Sequence, residues 1–158
     1  MLFLGSSTES KLRNGMFKDA FGDPLGPYNS ELLELSILTF EPRKLATICS
    51  VLEKKLLKVL VPSQGQTKQL VALKCLTVLL YLCQWGSGSF MNWLRSRYTA
   101  IVVPLGAMGY SKTYASAVYA KVDAVVRFCE DDEALRVSRD SLDQLRLEMR
   151  GQAIPTLH

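Results

Sequence analysis

Between Lys68 and Gly88 the chain reads KQLVALKCLTVLLYLCQWGSG, and from Leu70 to Cys83 only Lys74 and Thr77 interrupt an apolar run. A surface helix keeps one face polar, so a segment that is apolar nearly all round is enclosed on most sides. The run falls short of the roughly 20 apolar residues that span a bilayer, and Lys74 breaks it. A buried strand seldom exceeds about 10 residues, whereas leucine, lysine and alanine favour helix. Gly86 stands where such a helix would stop. The stretch predicts the central helix of an all-α domain.

Other helices follow from capping and period. Ser6-Ser7-Thr8-Glu9 has the form of a capping box, and the helix after it places Leu12, Met16 and Ala20 on one face. Gly22-Asp23-Pro24-Leu25-Gly26-Pro27 predicts a rigid turn. A short helix over 30–39 turns Leu32, Leu35 and Leu38 inward. Pro42 opens the next helix, whose core set is Leu45, Ile48, Cys49, Leu52, Leu56 and Leu60. Arg43, Lys44, Lys54, Lys55 and Lys58 lie elsewhere on its surface.

After Gly88 the chain restarts at Ser87 or Ser89, with Phe90, Trp93 and Leu94 as anchors. The segment 98–105 is apolar and reads as helical up to Pro104. A helix over 113–130 buries Val118, Val122, Val125, Val126 and Cys129. Asp131-Asp132-Glu133 ends it and caps a last helix running to about Arg150, where acids suit the N-terminus. Its stripe of Leu135, Leu142, Leu145 and Met149 is narrow, which predicts packing against one neighbour at the rim.

At 158 residues the chain reads as one domain, 1–158, with a short N-terminal extension (1–6) and a C-terminal tail (151–158). Cys49, Cys75, Cys83 and Cys129 form no CxxC pair, and each sits in an apolar stretch, the pattern of reduced core thiols. No secretory signal is visible, since Met1-Leu2-Phe3-Leu4 lacks a basic flank and is too short. Leu2 excludes N-myristoylation. The single histidine is His158, so no Ser-His or Cys-His pair is available and metal ligation is disfavoured. Gly65-Gln66-Thr67-Lys68 lacks the glycine and order of a phosphate loop. Asp131 and Asp132 are explained by helix capping. The chain therefore reads as a non-enzyme with no cofactor. Its formal charge of +4 permits an anionic partner without requiring one, and the interleaved acids and missing stacking motif argue against nucleic acid.

The order of several short motifs carries more. Lys11-Leu12-Arg13, Asp23-Pro24-Leu25-Gly26-Pro27 and Glu34-Leu35-Ser36-Ile37-Leu38-Thr39-Phe40 come first. Lys54-Lys55-Leu56 follows, then Lys74-Cys75-Leu76-Thr77-Val78-Leu79-Leu80-Tyr81-Leu82 with Trp85-Gly86-Ser87, and finally Glu130-Asp131-Asp132-Glu133-Ala134-Leu135-Arg136. In this order, over about 10–139, the chain resembles the epsin N-terminal homology (ENTH) domain. It is most similar to divergent fungal epsin-like members and more distantly to tepsin. The resemblance implies a right-handed superhelix of about seven to eight helices, related to VHS stacks.

It also implies a monomeric membrane-trafficking adaptor that docks on phosphoinositide membranes in clathrin-coat or endosome–Golgi transport. Such a module is cytoplasmic and peripheral to the endosome, trans-Golgi or plasma membrane. Clathrin and adaptor proteins would be bound through a tail absent from this chain. Carried over residue by residue, the family's lipid pocket falls on Arg13, Lys55 and Lys68, with Lys11 beside them. Its asparagine and histidine fall on Gly22 and Val71, so two polar contacts are lost and three cations remain. Met1–Gly5 are too few for the amphipathic helix that epsins fold on lipid, which predicts no liposome tubulation. The pattern over 106–117 is barely kept, surviving as Val118-Tyr119-Ala120-Lys121. The alternative is an ENTH/VHS-like interaction module that binds coat or cargo proteins without specific lipid binding, using Trp85, Tyr110, Tyr114 or Tyr119.

Overall fold

A computed structural model of the protein describes residues 29–62 and 66–156. The capping box, first helix and Gly22–Pro27 turn read from the sequence lie outside these residues, as do Lys11 and Arg13. Among the described residues there are six α-helices and one 3-10 helix. They are α1 (Asn29–Leu38), α2 (Pro42–Leu60), α3 (Gln66–Trp85), α4 (Gly88–Ile101), the 3-10 helix Val103–Ala107, α5 (Lys112–Glu130) and α6 (Asp132–Thr156). The fold is all-α, as the sequence predicts.

The apolar stretch is α3, and every other α-helix packs on it. Leu76, Leu79 and Leu82 are fully enclosed, and burying each contributes about 1.5–3 kcal/mol relative to exposure. Thr77 donates its hydroxyl to the Leu73 carbonyl at 2.8 Å, so it adds no unsatisfied group. Lys74 is buried too, at 2% exposure, and is not without a partner. The inward sets of α1 and α2 fall as their period dictates: Leu32, Leu35, Leu38, Ile48, Cys49, Leu52 and Leu56 are buried, with Leu45 and Leu60 packed at the margin. All four cysteines are free and buried.

Two segments differ from the sequence reading. The helix expected to reach Pro104 ends at Ile101, and Pro104 lies instead in the 3-10 helix. Proline has no N–H for the helical ladder and constrains Val103 before it, so the chain tightens and re-aims while Ile101, Val102 and Leu105 stay buried. The last helix runs past Arg150 to Thr156. A lone glycine such as Gly151 costs about 1 kcal/mol against alanine and does not by itself end a helix. Its apolar stripe also stops packing early. Leu135 is buried and Leu142 half-buried, but Leu145 is 51% exposed. Val126, read as buried, is half-buried.

The lower end of α3 is a junction. Ser87 donates its backbone N–H to Thr39 Oγ1 at 2.9 Å and its hydroxyl to the Thr39 carbonyl at 2.8 Å. The same Ser87 oxygen accepts from the Phe90 N–H and caps α4. From α6, Arg139 donates to the Cys83 carbonyl (2.9 Å) and the Gly86 carbonyl (3.1 Å), satisfying acceptors that the end of α3 leaves open. Gly86 leaves no room for a side chain, since a Cβ there would stand 2.6 Å from the Leu82 carbonyl oxygen.

Candidate functional site

With the apolar stripe of α2 turned to the core, its basic residues are left outward. Arg43, Lys54 and Lys58 are exposed, and Lys44 and Lys55 are half-buried. The two acids of this stretch are already engaged: Glu41 pairs with Lys44 of α2 at 3.1 Å, and Glu53 pairs with Arg97 of α4. Lys54 and Lys58, one turn apart, make no ion pair among the described residues. They form an uncompensated cationic stripe that the sequence reading left as plain surface. Their i, i+4 spacing opposite the apolar set was the available signal.

Lys68, at the start of α3, reaches across the turn and donates to the Val61 carbonyl, the C-cap residue of α2. A cation there complements the negative end of the helix. The ammonium has three donors, so this bond leaves others available. Lys55 lies farther down α2, beside α3, where its charge acts on the Cys75 thiol. Lys68 is thus held at the C-terminal end of α2, six residues beyond Lys55 in that helix's sequence. Lys55 is engaged in the fold, and the half-buried Val71 packs against the core.

The buried thiols lack the surroundings of a reactive cysteine. Burial pushes Cys49 and Cys75 up to about 12 and Cys129 up to about 11, and Cys83 is raised as well. Thiols held in the neutral form are poor nucleophiles and poor metal ligands. No group of three metal-ligating side chains occurs among the described residues. No described helix is long and apolar enough to cross a membrane.

The aromatic candidates divide. Tyr110 and Tyr119 meet edge to face at 5.4 Å, and their hydroxyls donate to the Leu105 and Met108 carbonyls. Both therefore fasten the segment after the 3-10 helix, and Tyr114 packs on the core. Trp85 stacks on Tyr81 and lines a groove of about 710 Å³ between α1 and α6. The wall of that groove is formed by Leu33 and Ile37 of α1 and by Phe40 in the turn after it, which are 47%, 60% and 66% exposed.

The sequence matches the ENTH domain family over residues 5–135, most of its length. The chain belongs to that family. No curated protein matches it. Among solved structures, the fold is similar to the endocytic adaptor complex AENTH, with TM-score 0.71 and 22% identity over 85% of this chain and 87% of that one. It is similar to the ENTH domain of ENT2 from Candida albicans, with TM-score 0.70 and 23% identity over 87% and 98%. It is also similar to the ENTH domain of epsin-2 in complex with phosphatidylinositol 4,5-bisphosphate, with TM-score 0.68 and 24% identity over 85% and 90%. In this ENTH domain, Thr39 of the Leu-Thr-Phe motif and Ser87 of the Gly-Ser motif are the two residues that bond across the lower junction.

Proposed function

We propose that this ENTH domain is an epsin-type trafficking adaptor, without enzymatic activity, that docks on phosphoinositide-bearing membrane through the basic face of α2. The observation that carries the reading is the cationic stripe of Lys54 and Lys58, uncompensated by acid, adjoining Lys55 and ending near Lys68. A phosphorylated inositol ring presents several anionic oxygens, which clustered lysine and arginine bind by charge-assisted hydrogen bonds. In this proposal Arg13 and Lys11 complete the site. The complex of epsin-2 with phosphatidylinositol 4,5-bisphosphate supports lipid binding as the family's use of this fold. Service in clathrin-coat or endosome–Golgi transport, peripheral to those membranes, belongs to the same proposal.

The test is liposome flotation with different phosphoinositides, comparing the wild type with Arg13→Ala/Lys55→Ala. Flotation lost in the variant supports the site. Equal flotation of both proteins removes it. The exposed row Leu33, Ile37 and Phe40 beside Trp85 favours a second reading, a module that binds coat or cargo proteins without specific lipid binding, and no flotation on any composition would favour it.

A further inference from the structure

The outer surface of α5 differs from that of α2 in both shape and charge. Asp123, Arg127 and Asp131 recur every four residues and form a ridge about 12 Å long at helical rise. A groove runs along each side of this ridge, and all three residues line both. The groove toward α6 has a volume of about 620 Å³ and an apolar floor of Ala124, Phe128, Ala134 and Val137. The groove toward the 3-10 helix has a volume of about 540 Å³ and is floored by Val103, Val122 and Val126. Val103 and Val137 are nearly half exposed, at 44% and 49%.

The charge around these grooves is acidic although the chain as a whole is basic. Glu130 and Glu133 join Asp123 and Asp131 at the rims, against Arg127 alone. Glu133 is paired with Arg136, and Glu130 accepts from the Tyr98 hydroxyl. Asp131 uses one oxygen to cap Ala134 and keeps the other. Asp123 and Arg127 make no ion pair with each other or with any described residue, though they sit one turn apart. Available carboxylate oxygen is thus concentrated at the two ends of the ridge.

We propose that this double groove is a docking surface for a basic polypeptide segment. Two of the segment's cations, about 12 Å apart, meet Asp123 and Asp131, while its apolar side chains enter the grooves on either side. Charge complementarity selects that occupant. An anionic membrane or a nucleic acid is repelled by the acidic rims, and the acids are not clustered as metal ligands. Grooves of this volume accept apolar side chains. The rim charges set which partner is admitted, and the apolar floors set how long it stays. The surface is separate from the basic face of α2, because α3 stands between α2 and α5 and packs on both. The inference therefore does not depend on lipid binding.

The test uses the full chain as bait for a random dodecapeptide phage library, with counter-selection on Asp123→Lys/Val137→Asp. Both positions are exposed, so circular dichroism melting of the variant should match the wild type. The expected result is enrichment of peptides carrying two Lys or Arg residues separated by neutral or apolar ones. Synthetic copies should bind the wild type at least about tenfold more tightly than the variant, and more weakly as salt rises. A second variant, Asp131→Asn, keeps the cap acceptor of α6 and removes only the charge, so it should weaken the same peptides on an unaltered fold. Enrichment of acidic or uncharged sequences, equal binding by the variants, or no enrichment at all would overturn the proposal.

Discussion

Thr39 and Ser87, 48 residues apart in sequence, exchange two hydrogen bonds in a fully buried setting: the hydroxyl of each meets a backbone group of the other. The Thr39 hydroxyl donates in turn to the Ser36 carbonyl at 2.6 Å. Each hydroxyl therefore acts as donor and acceptor at once, and no apolar residue of similar size reproduces that. Thr39→Val leaves the Ser87 N–H without its acceptor, and Ser87→Ala removes the α4 cap as well. Each is expected to cost about 1–3 kcal/mol, read as a lower urea midpoint with an unchanged slope. A shift below 0.5 kcal/mol in both would show that water or relaxation satisfies the junction.

Gly86→Ala probes the same corner by volume. The added methyl would meet the Leu82 carbonyl oxygen at 2.6 Å and Thr39 Oγ1 at 3.3 Å, and the first of these is backbone. The end of α3 must shift, at a cost of roughly 1–3 kcal/mol. Gly88→Ala meets nothing within 4 Å and serves as the control, with a far smaller change in thermal midpoint expected.

Arg139→Ala releases α6 from α3. Two carbonyl acceptors lose their donor, while the bond from Gln84 to Ser138 at 2.9 Å remains. Amide exchange around Ser138 and Leu142 is expected to quicken by about tenfold or more. Exchange near Leu145, already exposed, should hardly move. Uniform acceleration through α3 would instead mean that the whole fold had been weakened.

The thiols give a pH dependence with a definite sign. An unfolded cysteine ionises near its ordinary value of 9, whereas Cys49 and Cys75 in the fold hold their protons to about 12 and Cys129 to about 11. Above pH 9 the unfolded chain binds fewer protons than the native one, so stability declines as pH rises. The contribution is intact below pH 9 and drains away through the window from 9 to about 11–12. Urea titrations at pH 8, 9 and 10 check the slope, and alkylation of the native protein at pH 8 should be slow at all four cysteines.

Replacing Lys54 and Lys58 by alanine tests the membrane face without touching a described ion pair. At about 1 kcal/mol for each well-placed cation, partitioning onto anionic vesicles should weaken roughly 30-fold. The difference should shrink as salt rises. Unchanged partitioning would move the lipid contact off α2.

Periodicity was enough to read α3, α2 and the inward leucines of α1, because burial on a helix follows its 3.6-residue repeat whatever the partner. It did not reveal that Leu145 would face solvent. An apolar stripe shows which face of α6 seeks cover, and its period does not say how far along the helix that cover extends. The ending of α4 at Ile101 was likewise hidden, since Pro104 marks a disruption without saying whether the chain coils tighter or leaves the helix. For the candidate site, residue type identified Lys55 and Lys68 as cations, but not that Lys68 would reach the Val61 carbonyl. The free stripe at Lys54 and Lys58 emerged only once Glu41 and Glu53 were seen to be occupied. The acidic ridge on α5 was invisible for a related reason, because its grooves are made by two neighbouring elements.

The latch from α6 onto α3 is a guanidinium bound to two peptide carbonyls, a planar fork of donors set against uncharged acceptors. The buried thiols begin to titrate only in alkali, and the single histidine is the last residue of the chain. Among the described residues, the four buried thiols therefore stay neutral between pH 8 and 5. Acidification across that range leaves the charge of these four core groups unchanged, so the packing they take part in is the same in mildly acid and mildly basic surroundings.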